Sequence, residues 1–506
     1  MTGEEPVPWW KSAVVYQLYP RSFATTGITP GVGDLPGVTA HLDHLQWLGV
    51  DAIWLSPFFR SPMADYGYDV SDYCDVDPIF GTLADFDELL GQAHERGIKV
   101  LIDWVPNHSS DQHPWFVESR SAKDSPTRDW YFWKDPKPDG SPPNNWIGAF
   151  LNGSAWTFDE ATQQSYLHNF LPQQPDLNWA NPAVEAAMLD TLRFWLDRGV
   201  DGFRMDVIHM LGKDPDDLAD WPEGSSPYTD LPDPPHAHRL MRAIRQVLDG
   251  YDGDRTSVGE VYILDTARVA RYYGDGDELH MSFNFPPLYA KWKASSWRRH
   301  IDTTVDTIAP AGQPTWVLSN HDNPRHRTRY GSEARARAAA VLLLTLPGTP
   351  FLYAGEELGL EDAVVPPERV LDPGGRDGCR APIPWDGDAG HGWGTDHDTW
   401  LPFPPDAATR NAAAQRDDPT STAHLYKALL AARRSSPALS ASGDFAWVDG
   451  APEGVLAYDR GDHRVFVNMT DDAVSLDLDG FDVVVTTDEP GAPDSAVLLR
   501  RSATSG

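Results

Sequence analysis

The chain has 506 residues, of which 41% are hydrophobic, and this is enough for a large core shared by two or three domains. Its 41 basic and 75 acidic residues give a formal net charge of −34, which argues against nucleic acid and anionic membranes as partners. No basic segment with a following apolar run stands near the start, and no run approaches a membrane span, so we expect neither a secretory signal nor a membrane anchor. The only cysteines, Cys74 and Cys379, are too few for a disulfide framework. Two free thiols fit a cytoplasmic protein, and one bridge between them is the alternative.

Strand-like and helix-like runs alternate over more than 400 residues. The strand-like runs are 13–19, 52–55, 98–104, 202–207, 257–261, 279–284, 315–318 and 351–354. The helix-like runs are 38–48, 83–96, 183–197, 236–248, 266–272, a stretch near 301, 333–346 and 423–434. Eight strand-then-helix units predict an α/β fold, a (β/α)8 TIM barrel with a parallel sheet.

Two connections are too long for ordinary loops, 106–181 after the third strand and 356–422 after the eighth. Both leave the carboxyl-terminal face of the barrel, so we expect both to wall a site there. From about residue 441, short alternating runs predict a small antiparallel β-domain with strands at 445–448, 454–458, 464–468, 474–478, 483–487 and 496–499. We therefore predict a barrel formed by 1–105 and 179–440, an inserted domain at 106–178 and a C-terminal β-sandwich at 441–506.

Three acidic residues stand at the ends of three predicted strands: Asp206 ends the fourth, Glu260 ends the fifth and Asp322 follows the seventh. Each alone is explained as well by a structural ion pair. Together, at the end of a barrel where active sites lie, they fit a glycosidase. A glycosidic bond needs one acid to protonate the leaving oxygen and another to attack the anomeric carbon or to activate water. The 20 Trp, 17 Tyr and 19 Phe supply rings on which sugars can pack.

Four motifs make the chain similar to a known family. In order, they resemble the four signature regions of glycoside hydrolase family 13, the α-amylase family: DWVPNH at 103–108, GFRMD at 202–206, GEV at 259–261 and NHD at 320–322. QPDLN at 174–178 resembles a further region that marks its oligo-1,6-glucosidase and α-glucosidase branch. The resemblance covers nearly the whole chain.

The resemblance implies a role for each motif residue. Asp206 would be the nucleophile of a retaining double displacement, Glu260 the general acid and then base, and Asp322 the stabiliser of the transition state. Arg204 would orient Asp206 and keep it ionised, since an adjacent positive charge lowers the pKa of a carboxyl group. His108 and His321 would donate hydrogen bonds to the sugar before the scissile bond. No metal-ligand spacing accompanies these histidines.

DYGYD at 65–69 resembles the stretch that closes the far end of the family's pocket. Asp65 would bond to the terminal glucose, Tyr68 would stack on it, and Arg380 would pair with Asp65. Phe170 and Gln174 would line the pocket from the inserted domain. Such an Asp–Arg pair leaves no room for a longer chain, so we predict exo action with release of one glucose.

One segment departs from the branch. Residues 24–34, ATTGITPGVGD, carry a single carboxylate where the branch usually has a calcium loop rich in Asp and Asn. Calcium prefers several carboxylate and carbonyl oxygens, so we predict that this site is lost. We predict no metal and no cofactor.

The predicted activity is that of a retaining exo-α-glucosidase acting on short α-glucosides, as a monomer or small homo-oligomer. Val207 after the nucleophile favours 1,6-linkages by resemblance, although the linkage stays open. The nearest alternative is a transglucosidase, a sucrose hydrolase or a sugar isomerase of the same family. A non-catalytic barrel resembling transporter heavy chains, or a carbohydrate-binding module, fits less well because the acid set is complete.

Overall fold

Buried, mostly apolar runs form the strands of the central sheet. The computed structural model describes residues 7–150, 153–232, 235–372, 374–440 and 443–502. In chain order the strands of its central sheet are β1 (Val15–Leu18), β2 (Ala52–Leu55), β5 (Lys99–Trp104), β9 (Gly202–Met205), β10 (Thr256–Gly259), β11 (Met281–Ser282), β12 (Thr315–Val317) and β13 (Thr349–Tyr353). Between them lie the hairpin β3 (Phe59–Arg60) and β4 (Asp72–Val76), and a second sheet of β6 (Trp133–Lys134), β7 (Trp156–Asp159) and β8 (Gln164–Leu167).

The central sheet is a closed barrel. Its strand order is β11-β10-β9-β5-β2-β1-β13-β12, all neighbours are parallel, and a bridge between Met281 and Gln313 joins the two ends. Inward-facing residues such as Val15, Leu101 and Phe351 fill the interior as one apolar cluster. The predicted (β/α)8 barrel is therefore confirmed, with each strand inside or within two residues of its predicted run.

The helices pack around this barrel. In the described part of the chain they are α1 (Trp9–Ser12), α2 (Pro20–Phe23), α3 (Leu35–Ala40), α4 (Leu42–Leu48), α5 (Leu83–Glu95), α6 (Pro114–Ser121), α7 (Pro182–Asp197), α8 (Pro227–Asp230), α9 (Pro235–Asp249), α10 (Thr266–Ala270), α11 (Phe285–Leu288), α12 (Ala294–Thr307), α13 (His326–Tyr330), α14 (Glu333–Thr345), α15 (Ala412–Asp417) and α16 (Thr422–Ser435). Short 3-10 turns cover Arg128–Trp130, Ile208–Gly212, Arg271–Tyr273, Pro367–Arg369, Asp377–Arg380 and Pro437–Leu439.

Local sequence explains where the helices begin and end. Thr82 and Asp85 form a capping box at the start of α5, and Gly97, at φ +72°, follows its end. The single helix predicted over 38–48 is two helices, because the chain leaves α-helical geometry at His41. The imidazole of His41 contacts the carbonyl oxygen of Gly37 at 2.8 Å and stabilises this break.

The connection after β5 holds α6 and the three-stranded sheet, whose order is β6-β8-β7. Its last residues return to the barrel, where Asp176 bridges to His108 and Leu177 bridges to Tyr131. We propose the boundaries 106 and 178 for this inserted domain, since the chain leaves the barrel after β5 and re-enters it at α7.

After residue 440 the described residues form one antiparallel sheet, in the order β14 (Ala446–Trp447), β15 (Val455–Arg460), β16 (His463–Asn468), β18 (Ala496–Arg501) and β17 (Phe481–Thr486). The strands described here make a single layer and not the two layers of the predicted sandwich. The strand predicted over 474–478 is wrong. Val474, Leu476 and Leu478 pack against the apolar face of the sheet, which explains their alternation, but the segment pairs with no strand there.

Cys74 and Cys379 are both free, as predicted. Among the described residues, no helix has the length and apolar character needed to cross a membrane.

Candidate active site

A cavity of about 420 Å³ opens at the carboxyl ends of the barrel strands. Most of the predicted site residues line it: Asp65, Tyr68, His108, Phe170, Gln174, Asp206, Glu260 and Asp322. Arg204, His321 and Arg380 lie directly behind this lining, each in contact with one of its residues. The structure therefore brings the whole predicted set to one place.

Asp206 and Glu260 follow neighbouring strands in register. Met205, the last residue of β9, pairs with Gly259, the last residue of β10. The sheet ladder continues past both strands, since the Glu260 N–H donates to the carbonyl of Met205 at 2.8 Å. Both side chains consequently line the same cavity.

Arg204 joins three carboxyl groups. Its Nη1 donates to Asp206 Oδ1 at 2.7 Å and to Asp103 Oδ1 at 2.8 Å, and its Nη2 donates to Glu260 Oε2. The guanidinium group is buried, with its carbon 5.2 Å from the centre of the Trp54 ring. One positive charge thus faces three potential negative charges, so protonation of at least one of the three carboxyl groups is favoured.

The pKa values in this cluster follow from that imbalance. Burial, together with the charges of Glu260 and Asp103, raises the pKa of Asp206 well above its usual range, although Arg204 acts to lower it. Burial also raises the pKa of Asp103 to about 7, again against Arg204. The expectation that Arg204 lowers the pKa of Asp206 is right for that single contact. It is wrong for the net shift, because burial and two other carboxyl groups outweigh one guanidinium.

Asp322 lies in a different charge environment. Its Oδ1 accepts hydrogen bonds from Arg376 at 3.1 Å and from Arg380 at 3.0 Å. Partial burial opposes its ionisation, but the contacts with His321, Arg376 and Arg380 outweigh that effect and lower its pKa. Asp322 is therefore an ionised carboxylate at the cavity wall.

His321 is held as a neutral imidazole. Its ring is stacked on Tyr68 with centres 5.6 Å apart, and its Nδ1 lies 2.7 Å from the amide nitrogen of Gln17. Burial lowers the pKa of His321 to about 3, with Asp322 opposing the shift. A neutral ring held from both sides keeps one orientation toward the cavity.

Asp65 pairs with Arg376 and not with Arg380, contrary to the prediction. Arg376 Nη2 donates to Asp65 Oδ1 at 2.8 Å. Arg380 is fully buried and bonds elsewhere, with its Nε donating to the carbonyl of His321 at 2.7 Å and its Nη2 donating to Asp322. Arg376 is the N-cap of a 3-10 turn and Arg380 is its last residue, and of the two only Arg376 lines the cavity.

A hydrogen-bonded chain connects the inserted domain to this end of the cavity. Gln174 Nε2 donates to Asp65 Oδ2 at 3.1 Å and lies 3.1 Å from His108 Nε2. Burial lowers the pKa of His108 to about 4, so this ring is also neutral. Phe170 lies beside it, with ring centres 5.1 Å apart. His108, Gln174 and Phe170 thus occupy the predicted wall.

Lys213 was missed by the motif analysis. Its fully buried ammonium contacts Asn107 Oδ1 at 2.6 Å, Asp176 Oδ2 at 3.1 Å and the carbonyl of Met210. Asn107 precedes His108 in sequence, and Asp176 pairs with His108. Lys213 therefore joins the barrel to the segments that carry His108 and Gln174. A lone lysine seven residues after Asp206 has no local signal; only the pairing of His108 with Asp176 across the insert could have indicated it.

Part of the cavity wall is aromatic. Phe150, Phe170, Tyr228, Tyr262 and Tyr289 line it. The rings of Tyr228 and Tyr262 stack with centres 4.6 Å apart and planes 11° from parallel. The loop 213–232, whose role the sequence did not reveal, contributes Tyr228.

Val207 turns the chain sharply after Asp206. Its φ of +35° and ψ of +41° lie in the left-handed region, which a β-branched residue rarely adopts. This turn starts the 3-10 segment, whose first N–H, that of Ile208, donates to the carbonyl of Glu260 at 3.1 Å. A strained residue at the cavity wall fits a functional site.

The segment predicted to have lost calcium is organised by Asp34. Its Oδ1 accepts from the Gly37 N–H at 2.7 Å, and its Oδ2 accepts from the Thr26 N–H at 2.8 Å. One carboxylate already engaged by N–H donors does not fit the oxygen-rich shell that calcium requires. Among the described residues, no group of three or more His, Cys, Asp or Glu side chains is placed to hold a metal ion.

Residues 17–442 match the family model for the catalytic domain of α-amylase. The chain belongs to the α-amylase family. A probable α-glucosidase of Rhizobium meliloti (strain 1021) is 42% identical over 93% of this chain and 91% of its own length. An oligo-1,6-glucosidase of Heyndrickxia coagulans is 40% identical over 84% of this chain and 85% of its own length. These relatives lie in the branch that the QPDLN motif indicated.

Two solved structures of the same family are similar over nearly the whole chain. The α-glucosyl transfer enzyme XgtA has a TM-score of 0.87 and 41% identity, covering 98% of this chain and 99% of its own. The trehalulose synthase MutB of Pseudomonas mesoacidophila MX-45 has a TM-score of 0.91 and 35% identity, covering 98% of this chain and 100% of its own. The family therefore includes both hydrolytic and transfer enzymes of this shape.

Proposed function

We propose that this family member is a retaining exo-α-glucosidase that releases glucose from the non-reducing end of short α-glucosides. The observation that carries the proposal is the pairing of Asp206 and Glu260 at one cavity whose far end is crossed by the Asp65–Arg376 ion pair. Relatives named α-glucosidase and oligo-1,6-glucosidase support it.

The reaction follows from the placement of the two carboxyl groups around Arg204 at one cavity. Asp206 attacks the anomeric carbon while the glucosidic bond breaks, and Glu260 gives its proton to the leaving oxygen. Glu260 then accepts a proton from water, which attacks the same carbon and releases Asp206. Arg204 contacts both carboxyl groups and stabilises whichever is ionised at each step.

The side chains that would hold the bound glucose each have a defined protonation state. Asp322 is ionised and accepts hydrogen bonds from ring hydroxyls, which favours the positively charged transition state. His108 and His321 are neutral and so can donate from one ring nitrogen each. Tyr68 provides a ring surface, and Gln174 positions Asp65.

Exo action follows from the closed end. Asp65 and Arg376 come from two separate loops and meet across the cavity, so a sugar chain cannot extend past them. Long maltooligosaccharides as first products of starch digestion would contradict this proposal.

Transglucosylation is the second candidate. The aromatic rings in the cavity wall offer apolar surfaces on which an acceptor sugar can pack, and similar structures include a glucosyl transfer enzyme and a trehalulose synthase. Product profiles on sucrose, maltose and isomaltose separate the two, since a transferase forms new disaccharides where a hydrolase yields free glucose.

The deciding experiment combines activity with stereochemistry. We expect p-nitrophenyl α-glucoside to be hydrolysed and NMR to show the α-anomer of glucose first. Asp206→Asn should remove nearly all activity, whereas Asp190→Asn, an exposed control on α7, should leave it unchanged. First appearance of the β-anomer would reject the retaining mechanism.

A cytoplasmic location and a monomeric or small oligomeric state remain predictions. Fractionation of the source cells and light scattering of the purified protein would test them.

A further inference from the structure

The two carboxyl oxygens of Glu260 have different partners. Oε2 accepts from Arg204 Nη2 and faces the Val207 N–H at 3.5 Å. Oε1 lies 3.4 Å from the hydroxyl of Tyr228. Guanidinium and amide N–H groups only donate, so an oxygen that faces them stays an acceptor. A proton on Glu260 is therefore favoured on Oε1.

We propose that Tyr228 is a positioning residue that holds Oε1 of Glu260 as the oxygen exchanging the proton with the substrate. This inference rests on the proposed function, and it assigns the acid–base step to one atom of that residue. It also gives the loop 213–232 a role in the reaction.

Tyr228 is held in place from several sides. Its ring stacks on Tyr262, with centres 4.6 Å apart, and meets the edge of Phe170, with centres 5.6 Å apart. Ser226 caps the short turn that carries it, accepting from the Tyr228 N–H at 3.4 Å. These contacts restrict the ring to one orientation, with its hydroxyl toward Glu260.

His209 ties the two segments together. Its Nε2 lies 3.0 Å from the carbonyl oxygen of Tyr228, and its Nδ1 lies 3.3 Å from the carbonyl oxygen of Glu260. One buried imidazole thus contacts the backbone of both residues. This contact holds the two backbone segments together and so sets the spacing between the Tyr228 hydroxyl and the Glu260 carboxyl group.

The Tyr228 hydroxyl remains a neutral donor. Burial and the neighbouring charge of Glu260 raise its pKa well above its usual range. The 3.4 Å separation is long for an O–H donor, and hydrogen bonds of catalytic groups often shorten when substrate fills the cavity.

The proposed proton path balances at each step. In the first step Oε1–H passes to the glucosidic oxygen as its bond to the anomeric carbon breaks and the Asp206 bond forms. Oε1 is then a carboxylate oxygen, and the Tyr228 O–H donates to it. In the second step Oε1 takes a proton from the water whose oxygen bonds to the anomeric carbon, and the Asp206 ester bond breaks.

The experiment compares Tyr228→Phe with Tyr251→Phe. Each substitution removes one tyrosine hydroxyl, but the Tyr251 hydroxyl donates to Asp197 at 2.7 Å and Tyr251 does not line the cavity. Maltose or isomaltose, whichever the wild type hydrolyses faster, requires a protonated leaving group. α-Glucosyl fluoride requires little protonation. Circular dichroism and thermal unfolding verify that both variants fold.

For Tyr228→Phe we expect kcat on the disaccharide to fall about 10-fold to 100-fold, within the range of general acid catalysis, with KM little changed. The rate on α-glucosyl fluoride should stay within about 3-fold, since its leaving group needs little of that assistance. Tyr251→Phe should resemble the wild type on both substrates.

Equal losses on both substrates would overturn the inference, because they would indicate a general structural defect. A Tyr228→Phe variant that keeps the wild-type kcat on the disaccharide would overturn it as well. A wild-type enzyme inactive on every α-glucoside would instead reject the proposed function and this inference with it, so the two failures are distinguishable.

Discussion

Asp65 and Arg376 form an ion pair of 2.8 Å across the far end of the cavity. Asp65 lies after the hairpin strand β3, and Arg376 lies in the long connection after β13. Their meeting joins two loops that are 311 positions apart in sequence. This pair closes the cavity behind the proposed glucose site. Arg376 and Arg380 therefore differ in role, since Arg376 pairs with Asp65 whereas Arg380 bonds to the His321 carbonyl and to Asp322.

Double-mutant cycles should show this distinction. We expect the coupling free energy between Asp65→Asn and Arg376→Met to be about 1–3 kcal/mol, since the partners are in direct contact. Coupling between Asp65→Asn and Arg380→Met should be smaller, because Arg380 bonds to the His321 carbonyl and to Asp322. Urea unfolding of the single and double variants gives both values. A larger coupling with Arg380 would contradict the structure.

Arg204→Lys should lower kcat by about 100-fold or more, comparable to the loss of one positioned electrostatic contact in an active site. A lysine ammonium cannot contact Asp206 and Glu260 in the forked geometry of a guanidinium. Arg239→Lys is the matched control, because Arg239 is about half-exposed and neither it nor its partner Glu185 lines the cavity. Steady-state kinetics on p-nitrophenyl α-glucoside provides the measurement, and equal activity of the two variants would refute the prediction.

Lys213→Met should destabilise the fold by about 3–5 kcal/mol, because it leaves the buried carboxylate of Asp176 without its counter-charge. The double variant with Asp176→Asn removes that unpaired charge and should recover part of the loss. Chemical denaturation measures both. If the double variant is no more stable than Lys213→Met, the ion pair is not the cause.

Stability should fall in mild acid partly through His280. This residue is buried at the other end of the barrel, where its Nδ1 faces the Ser257 N–H at 3.2 Å, and burial lowers its pKa to about 3. Between about pH 6.5 and 3 the unfolded chain binds a proton at this histidine and the folded chain does not, so unfolding is favoured as pH falls.

We therefore expect His280→Gln to lose about 2 kcal/mol less stability than the wild type between pH 7 and pH 5. His397→Gln, at an exposed position, is the control and should follow the wild type. Urea unfolding at the two pH values gives the difference. An unchanged pH slope in His280→Gln would contradict the assignment.

The barrel strands were predictable because their signals are local. Each is a short apolar run followed by a helical pattern, and parallel strands in succession place their carboxyl ends at one face. This is why Asp206, Glu260 and Asp322 could be assigned to a common site before any coordinates. The failure at 474–478 has the same origin, since alternation reports burial of one face and not pairing with a neighbour.

The sequence by itself determined the barrel, the order of its strands and the presence of the acids at their ends. Only the tertiary structure decided that Arg376 meets Asp65, that Lys213 neutralises Asp176 and that Tyr228 reaches Glu260. Each of these contacts joins side chains from loops whose paths depend on packing far away in sequence. Periodicity describes the turn or strand in which a residue lies, but it carries no information on which distant loop comes to lie opposite.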